Sequence, residues 1–113
     1  MTSREVALEI TSMLSEKKAS DITLINISEK SSFADYFVNV TAGSERQLGA
    51  LADEVGDKMA ELGFIPKGAE GRPETGWILV DCGDVIVNLF TRDVRDKYSL
   101  DRIWGDCEIE TIE

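Results

Sequence analysis

The sequence predicts a single α/β domain with a mixed sheet of about five strands flanked by helices. Three observations predict it. Residues 76–90, GWILVDCGDVIVNLF, read as two strands folded back on a tight turn. Residues 44–62 carry apolar side chains at helical period and stop at Gly63. Short runs rich in Ile, Val, Thr and Tyr, at 22–27 and 36–41, lie between that helix and an earlier one.

Taken in order, residues 2–18 form the first helix. Thr2 and Glu5 have capping-box spacing. Val6, Ala7, Ile10, Met13 and Leu14 make its apolar stripe, and Lys17 and Lys18 stand where cations suit the helix dipole. Residues 22–27 are a strand. Residues 28–35 are a polar connection with one helical turn at 31–34. Residues 36–41 are a second strand, with Tyr36, Val38 and Val40 on one face. Ser44 caps the next helix, and Gln47 completes a capping box. Leu48, Leu51, Ala52, Val55, Met59 and Leu62 follow at spacings of three and four. Residues 64–70 are a weaker strand; Pro66 puts it at a sheet edge. Residues 71–76 are a loop.

The hairpin is expected to turn at Cys82-Gly83, between Asp81 and Asp84. That register sets Trp77 opposite Asn88 and Val80 opposite Val85. One face then holds Ile78, Val80, Val85, Val87 and Leu89, all aliphatic. The other holds Trp77, Leu79, Asp81, Asp84, Ile86, Asn88 and Phe90. The first suits a core. The second reads as a half-exposed contact surface, wet around Asn88, where truncating Trp77 would leave the fold intact. Beyond Phe90, the residues Val94, Tyr98, Leu100, Ile103 and Trp104 are anchors in short helical turns, and the last nine residues are expected to fray.

A chain of 113 residues suits one domain. No run of about 18 apolar residues is present, and the start has no basic-then-apolar signal pattern. A cytoplasmic protein is the expectation. There are two cysteines and no histidine. That is too few for a disulfide framework, and the commonest metal ligand and general base are missing. The net charge of −10 argues against wrapping nucleic acid and suits a basic protein surface.

Each motif has a plainer explanation beside it. Trp77 is as often core as contact, and the polar Asn88 expected opposite it favours contact. Asp81 and Asp84 could hold a divalent ion, but aspartates in turns are usually there for the turn. Gly43-Ser44, between a strand and a helix, invites a phosphate, yet no P-loop lysine follows. Asp53, Glu54 and Asp57 fit a solvated helix face.

Three blocks, SSFADYFVNVTAGSERQLGALADEV, the hairpin, and YSLDRIW, stand in an order that resembles the ribosomal silencing factor, or Iojap-like, family. The resemblance spans roughly residues 5 to 104. Asn88 stands where that family commonly has histidine, and Cys82 where tyrosine or leucine is frequent. The resemblance implies a nucleotidyltransferase-like fold without catalytic residues, and no cofactor or metal. It implies a translational repressor that docks on large-subunit ribosomal protein fourteen, blocks joining of the small subunit and assists large-subunit assembly. Trp77 carries over from the family's contact face directly, and Asn88 at the histidine position. Together with the face derived above, the expected partner surface is Trp77, Leu79, Asp84, Ile86, Asn88, Phe90 and Tyr98. The rival reading is a small magnesium-dependent nucleotidyltransferase using Asp81, Asp84 and the Gly43-Ser44 turn. A homodimer of the free protein through the same face is a third.

Overall fold

In the computed structural model, which describes residues 1–98, 102 and 105–112, the chain runs α1 (Ser3–Glu16), β1 (Ser20–Asn26), β2 (Tyr36–Ala42), α2 (Glu45–Glu61), β3 (Gly68–Arg72), a 3-10 turn (Pro73–Thr75), β4 (Trp77–Asp81), β5 (Val85–Thr91), α3 (Arg92–Tyr98) and β6 (Glu108–Thr111). The strands form one mixed sheet in the order β3-β4-β5-β2-β1-β6. The central β2–β5 pair is parallel and every other pair is antiparallel.

The helix ends follow from local chemistry. Thr2 accepts the Glu5 N–H at 3.1 Å and donates its own N–H to the Glu5 carboxylate at 2.9 Å, a complete capping box. At the other end of α1, Lys18 N–H reaches Ser15 O at 3.0 Å and Ala19 N–H reaches Leu14 O at 3.1 Å. That closure needs a left-handed residue, and Lys18 takes it at φ 64°. The same pattern ends α2, through Gly63 N–H to Ala60 O and Phe64 N–H to Met59 O. At the start of α2, Ser44 Oγ accepts the Gln47 N–H at 3.0 Å, as expected. The box is not completed as expected, however. Gln47 Oε1 overshoots Ser44 and takes the N–H of Gly43.

The main core lies between the sheet and the two long helices. Ile10 and Leu14 of α1 and Leu48, Val55 and Met59 of α2 meet Val38, Val40, Val80, Val87 and Leu89 from the sheet. The aliphatic hairpin face is therefore the core face, as its alternation predicted.

The hairpin register differs. Trp77 pairs with Phe90, Leu79 with Asn88, Val80 with Val87 and Asp81 with Ile86. Cys82 N–H donates to Val85 O at 3.0 Å, so the two-residue loop is Gly83-Asp84. The reason is backbone geometry. Gly83 sits at φ +87° and takes the first loop position, where one common hairpin turn demands glycine. Asp81 Oδ1 accepts the Gly83 N–H at 2.9 Å and braces the turn.

Other expectations are corrected as well. The sheet has six strands, because residues 108–111 pair with β1 along Thr23 to Asn26 and do not fray. The weak strand starts at Gly68, four residues later than expected, although it is the edge strand. Residues 31–34 form no helical turn; the turn is at 28–30, where Lys30 N–H and Ser31 N–H both reach Ile27 O. Val94 lies on α3, whereas the side chain of Tyr98, and Leu100, Ile103 and Trp104, lie outside the described residues.

Candidate functional site

Strand alternation brings Trp77, Leu79 and Asp81 of β4 to the sheet face opposite α1 and α2. Ile86, Asn88 and Phe90 of β5 share that face. Neighbouring strands continue the rows: Leu79, Asn88, Asn39 and Thr23 form one, and Asp81, Ile86, Phe37, Ile25 and Ile109 the next.

A polar chain crosses the centre of this face. Trp77 Nε1 donates to Asn88 Oδ1 at 3.3 Å, and Asn88 Nδ2 donates to Asn39 Oδ1 at 3.1 Å. Both ends of the Asn88 amide are held, which is how a buried amide avoids an unmet desolvation cost. The Trp77 and Phe90 rings meet at 5.3 Å with a 41° tilt.

This overturns part of the expected contact surface. Asn88 is 7% exposed, Ile86 8% and Phe90 0%. Asn88 is held between Trp77 and Asn39, Phe90 lies against the Trp77 ring, and Ile86 is buried because this face has a smaller core of its own. Ile25, Ile27, Ala34 and Ile86 cluster there, joined by Phe37, Leu79 and Cys107. The connection after β1 folds over the sheet, with Ile27 N–H bonded to Asp35 O at 2.9 Å. Trp77 and Leu79 stay half-buried. Asp84 is exposed, but at the turn end of the hairpin, at least four strand residues of about 3.3 Å each from Trp77.

A groove of ≈ 360 Å³ stays open between Trp77, Leu79 and Val94, rimmed by Glu70, Gly71 and Thr75. Gly76 aims Trp77 into it. Gly76 lies at φ 77°, and an added Cβ would stand 2.5 Å from Val94 Cγ2 and 2.7 Å from Thr91 Oγ1. The strand therefore starts tight against α3.

Arg95, which nothing in the sequence reading singled out, holds α3 in place. It is 5% exposed and donates to Asp21 O at 2.6 Å, Thr41 Oγ1 at 3.0 Å and Thr23 Oγ1 at 3.3 Å. Asp21 O is offered there by a bulge in β1, where Asp21 sits at φ 48°. Arg92 pairs with the Asp21 carboxylate. Such an arginine is invisible to local pattern because its acceptors lie 54 to 74 residues away.

The constellation suggested for a nucleotidyltransferase is not assembled. Gly43 and Ser44 line a cavity of ≈ 520 Å³ at the carboxyl ends of β2 and β5, together with Thr91 and Arg92. Asp81 and Asp84 lie at the opposite end of β5. The Gly43 N–H and the Ser44 Oγ are both engaged by Gln47. Glu45, Glu74 and Asp93 also line the cavity and would repel a phosphate. Among the described residues, no three His, Cys, Asp or Glu side chains group as metal ligands would. Cys82 near the turn is held protonated: burial first, and then the Asp81 charge, push its thiol up to about 12.

A family profile described as "Ribosomal silencing factor during starvation" matches residues 1–113. The chain is 38% identical over 98 residues to the ribosomal silencing factor of Bacillus subtilis, covering 87% of this chain and 83% of that one. A crystal structure of a Chromobacterium violaceum protein superposes with a TM-score of 0.89 at 32% identity, covering 100% of this chain and 94% of the other. A more distant relative is the mouse "Mitochondrial assembly of ribosomal large subunit protein 1", 26% identical over 100 residues, covering 84% of this chain and 43% of that protein.

Proposed function

The chain belongs to the ribosomal silencing factor family, and from that premise we propose that it binds the large ribosomal subunit and represses translation by occupancy, with no chemistry of its own. It docks on large-subunit protein fourteen and keeps the small subunit from joining. The same binding assists large-subunit assembly, as the name of the mouse relative suggests for that protein. The bacterial relative and the absence of a long apolar helix among the described residues are compatible with a cytoplasmic place of action.

One observation carries the docking site: a groove lies open beside the half-buried Trp77 and Leu79 and Val94, next to the buried Asn88 and Phe90. A half-buried tryptophan on such a face is the residue type that anchors interfaces. The −10 charge suits a basic ribosomal protein and disfavours direct seating on ribosomal RNA. The face that docks is also available for self-association, so the mass of the free protein is measured beside its binding.

The test is sedimentation of the purified protein with separated and with joined subunits. It is expected to travel with free large subunits, to be absent from joined ribosomes, and to weaken as salt rises. Equal distribution on joined ribosomes, or no co-sedimentation, would sink the proposal.

A further inference from the structure

A second groove, of ≈ 650 Å³, lies on the other side of β3 from Trp77. It runs between α2 and β3 on the helix-bearing face. Layer geometry produces it. Helix α2 packs on β4, β5 and β2, while β3 is exposed along its whole length, one strand further out. The floor is Gly68, Ala69 and Val80, and the wall is Ala52 and Gly56. Ile65, next to the lining residue Pro66, is 91% exposed.

Gly56 is the informative residue. Glycine is the poorest helix former after proline, and α2 has two in its interior. Gly49 is explained inside this chain, since a Cβ there would stand 3.1 Å from Pro73 Cγ. At Gly56 a Cβ would meet nothing within 4 Å among the described residues, and its φ is not left-handed. Neither packing nor backbone shape within the described fold calls for glycine here. Close approach by another molecule would.

We propose that this groove receives a basic helical segment of a protein on the large ribosomal subunit. The small flank of Ala52 and Gly56, with exposed Ala60 one turn on, lets a second helix approach to about 8 Å between axes. Asp53 and Asp57 line the same groove and meet its lysines and arginines. Those carboxylates also turn away a phosphate backbone, which separates this occupant from ribosomal RNA. Both grooves share one strand: Gly68 and Ala69 line this one, Glu70 and Gly71 the other. One partner surface therefore grips the sheet edge from both sides. This rests on the large-subunit reading above and adds a second foothold to it.

The experiment measures binding to purified large subunits, with melting temperatures, for wild type, Gly56→Leu, Asp57→Lys and Trp77→Ala. Gly56→Leu fills the groove and is expected to melt no lower than wild type while binding about tenfold more weakly, about 1.4 kcal/mol. Asp57→Lys, a surface change, is expected to keep the melting temperature, weaken binding several-fold and flatten its salt dependence. Should Gly56→Leu melt low, Asp57→Lys decides. If both groove variants bind like wild type while Trp77→Ala does not, the second foothold is wrong and the large-subunit reading stands. If wild type ignores large subunits, both fall.

Discussion

Trp77 is hydrogen-bonded to a residue that is not its strand partner: Nε1 reaches Asn88 Oδ1 at 3.3 Å, while Phe90 faces it in register. The indole thus shares in the fold as well as lining the groove. Trp77→Phe is expected to keep the ring contact with Phe90 and lose the bond, at about 1 kcal/mol and a few degrees of melting temperature. Trp77→Ala should lose both, melt lower still and bind large subunits roughly thirtyfold more weakly, the loss of an anchor contributing about 2 kcal/mol. Melting curves and sedimentation on the same preparations check this. A Trp77→Ala variant as stable as wild type would show that the ring contributes nothing to the fold.

The core face of the hairpin gives a sharper outcome. Val87 is 0% exposed in the middle of β5. Val87→Asp buries an unpaired carboxylate and is expected to leave the chain unfolded at room temperature by circular dichroism. A native spectrum with an unchanged melting point would mean the two faces are inverted.

Lys18 stores strain that can be removed. A non-glycine residue in the left-handed region costs about 1–2 kcal/mol, and Lys18 sits there at φ 64°. Glycine gives back part of the gain through a freer unfolded chain, about 0.5–1 kcal/mol. Lys18→Gly should therefore raise stability by about 0.5–1 kcal/mol in urea titration. A lower urea midpoint would show that the lysine side chain itself stabilises the helix end.

The Cys82 thiol supplies a pH prediction. Burial and Asp81 hold it up to about 12, well above an unfolded cysteine. The folded state thus keeps a proton that the unfolded state gives up first. This contribution to stability is complete below the unfolded value and is lost as pH rises from there towards 12. At pH 8, iodoacetamide should label Cys82 in the folded protein at least roughly a hundredfold more slowly than in urea, as read by peptide mass spectrometry. Equal rates would place the thiol in solvent.

The two hairpin faces were legible even though the register was not. Moving the pairing by two residues changes every partner but leaves alternation intact, so Val80 and Val87 point inward in either register. The first-position demand of Gly83 decided between the two, and strand pattern does not carry that information. The burial of Asn88, Ile86 and Phe90 was hidden for a different reason. For Ile86 it depends on Ile25 and Ile27, for Asn88 on Asn39, and for Phe90 on the Trp77 ring, and the chain brings the first three from other strands and a folded-over connection. One signal was available. Asn39 and Asn88 each interrupt a valine-rich strand at a matching position, Val38-Asn39-Val40 and Val87-Asn88-Leu89, as two halves of one buried contact would. Strand β6 escaped because Glu108 and Glu110 point its polar side at the reader, while Ile109 pairs across from Ile25.

The parallel β2–β5 pair at the centre of the sheet bears on how quickly the protein acquires its shape. Tyr36 meets Val85, and Ala42 meets Thr91, each pair 49 positions apart along the chain. All of α2, β3 and β4 lie in the connection between them. Closing so large a loop before any central hydrogen bond forms is an entropic barrier that a local hairpin does not face. Folding is thus expected on the order of milliseconds or longer, not in microseconds. Until that pair forms, the facing edges of β2 and β5 are both uncovered, and unpaired strand edges are what promote aggregation.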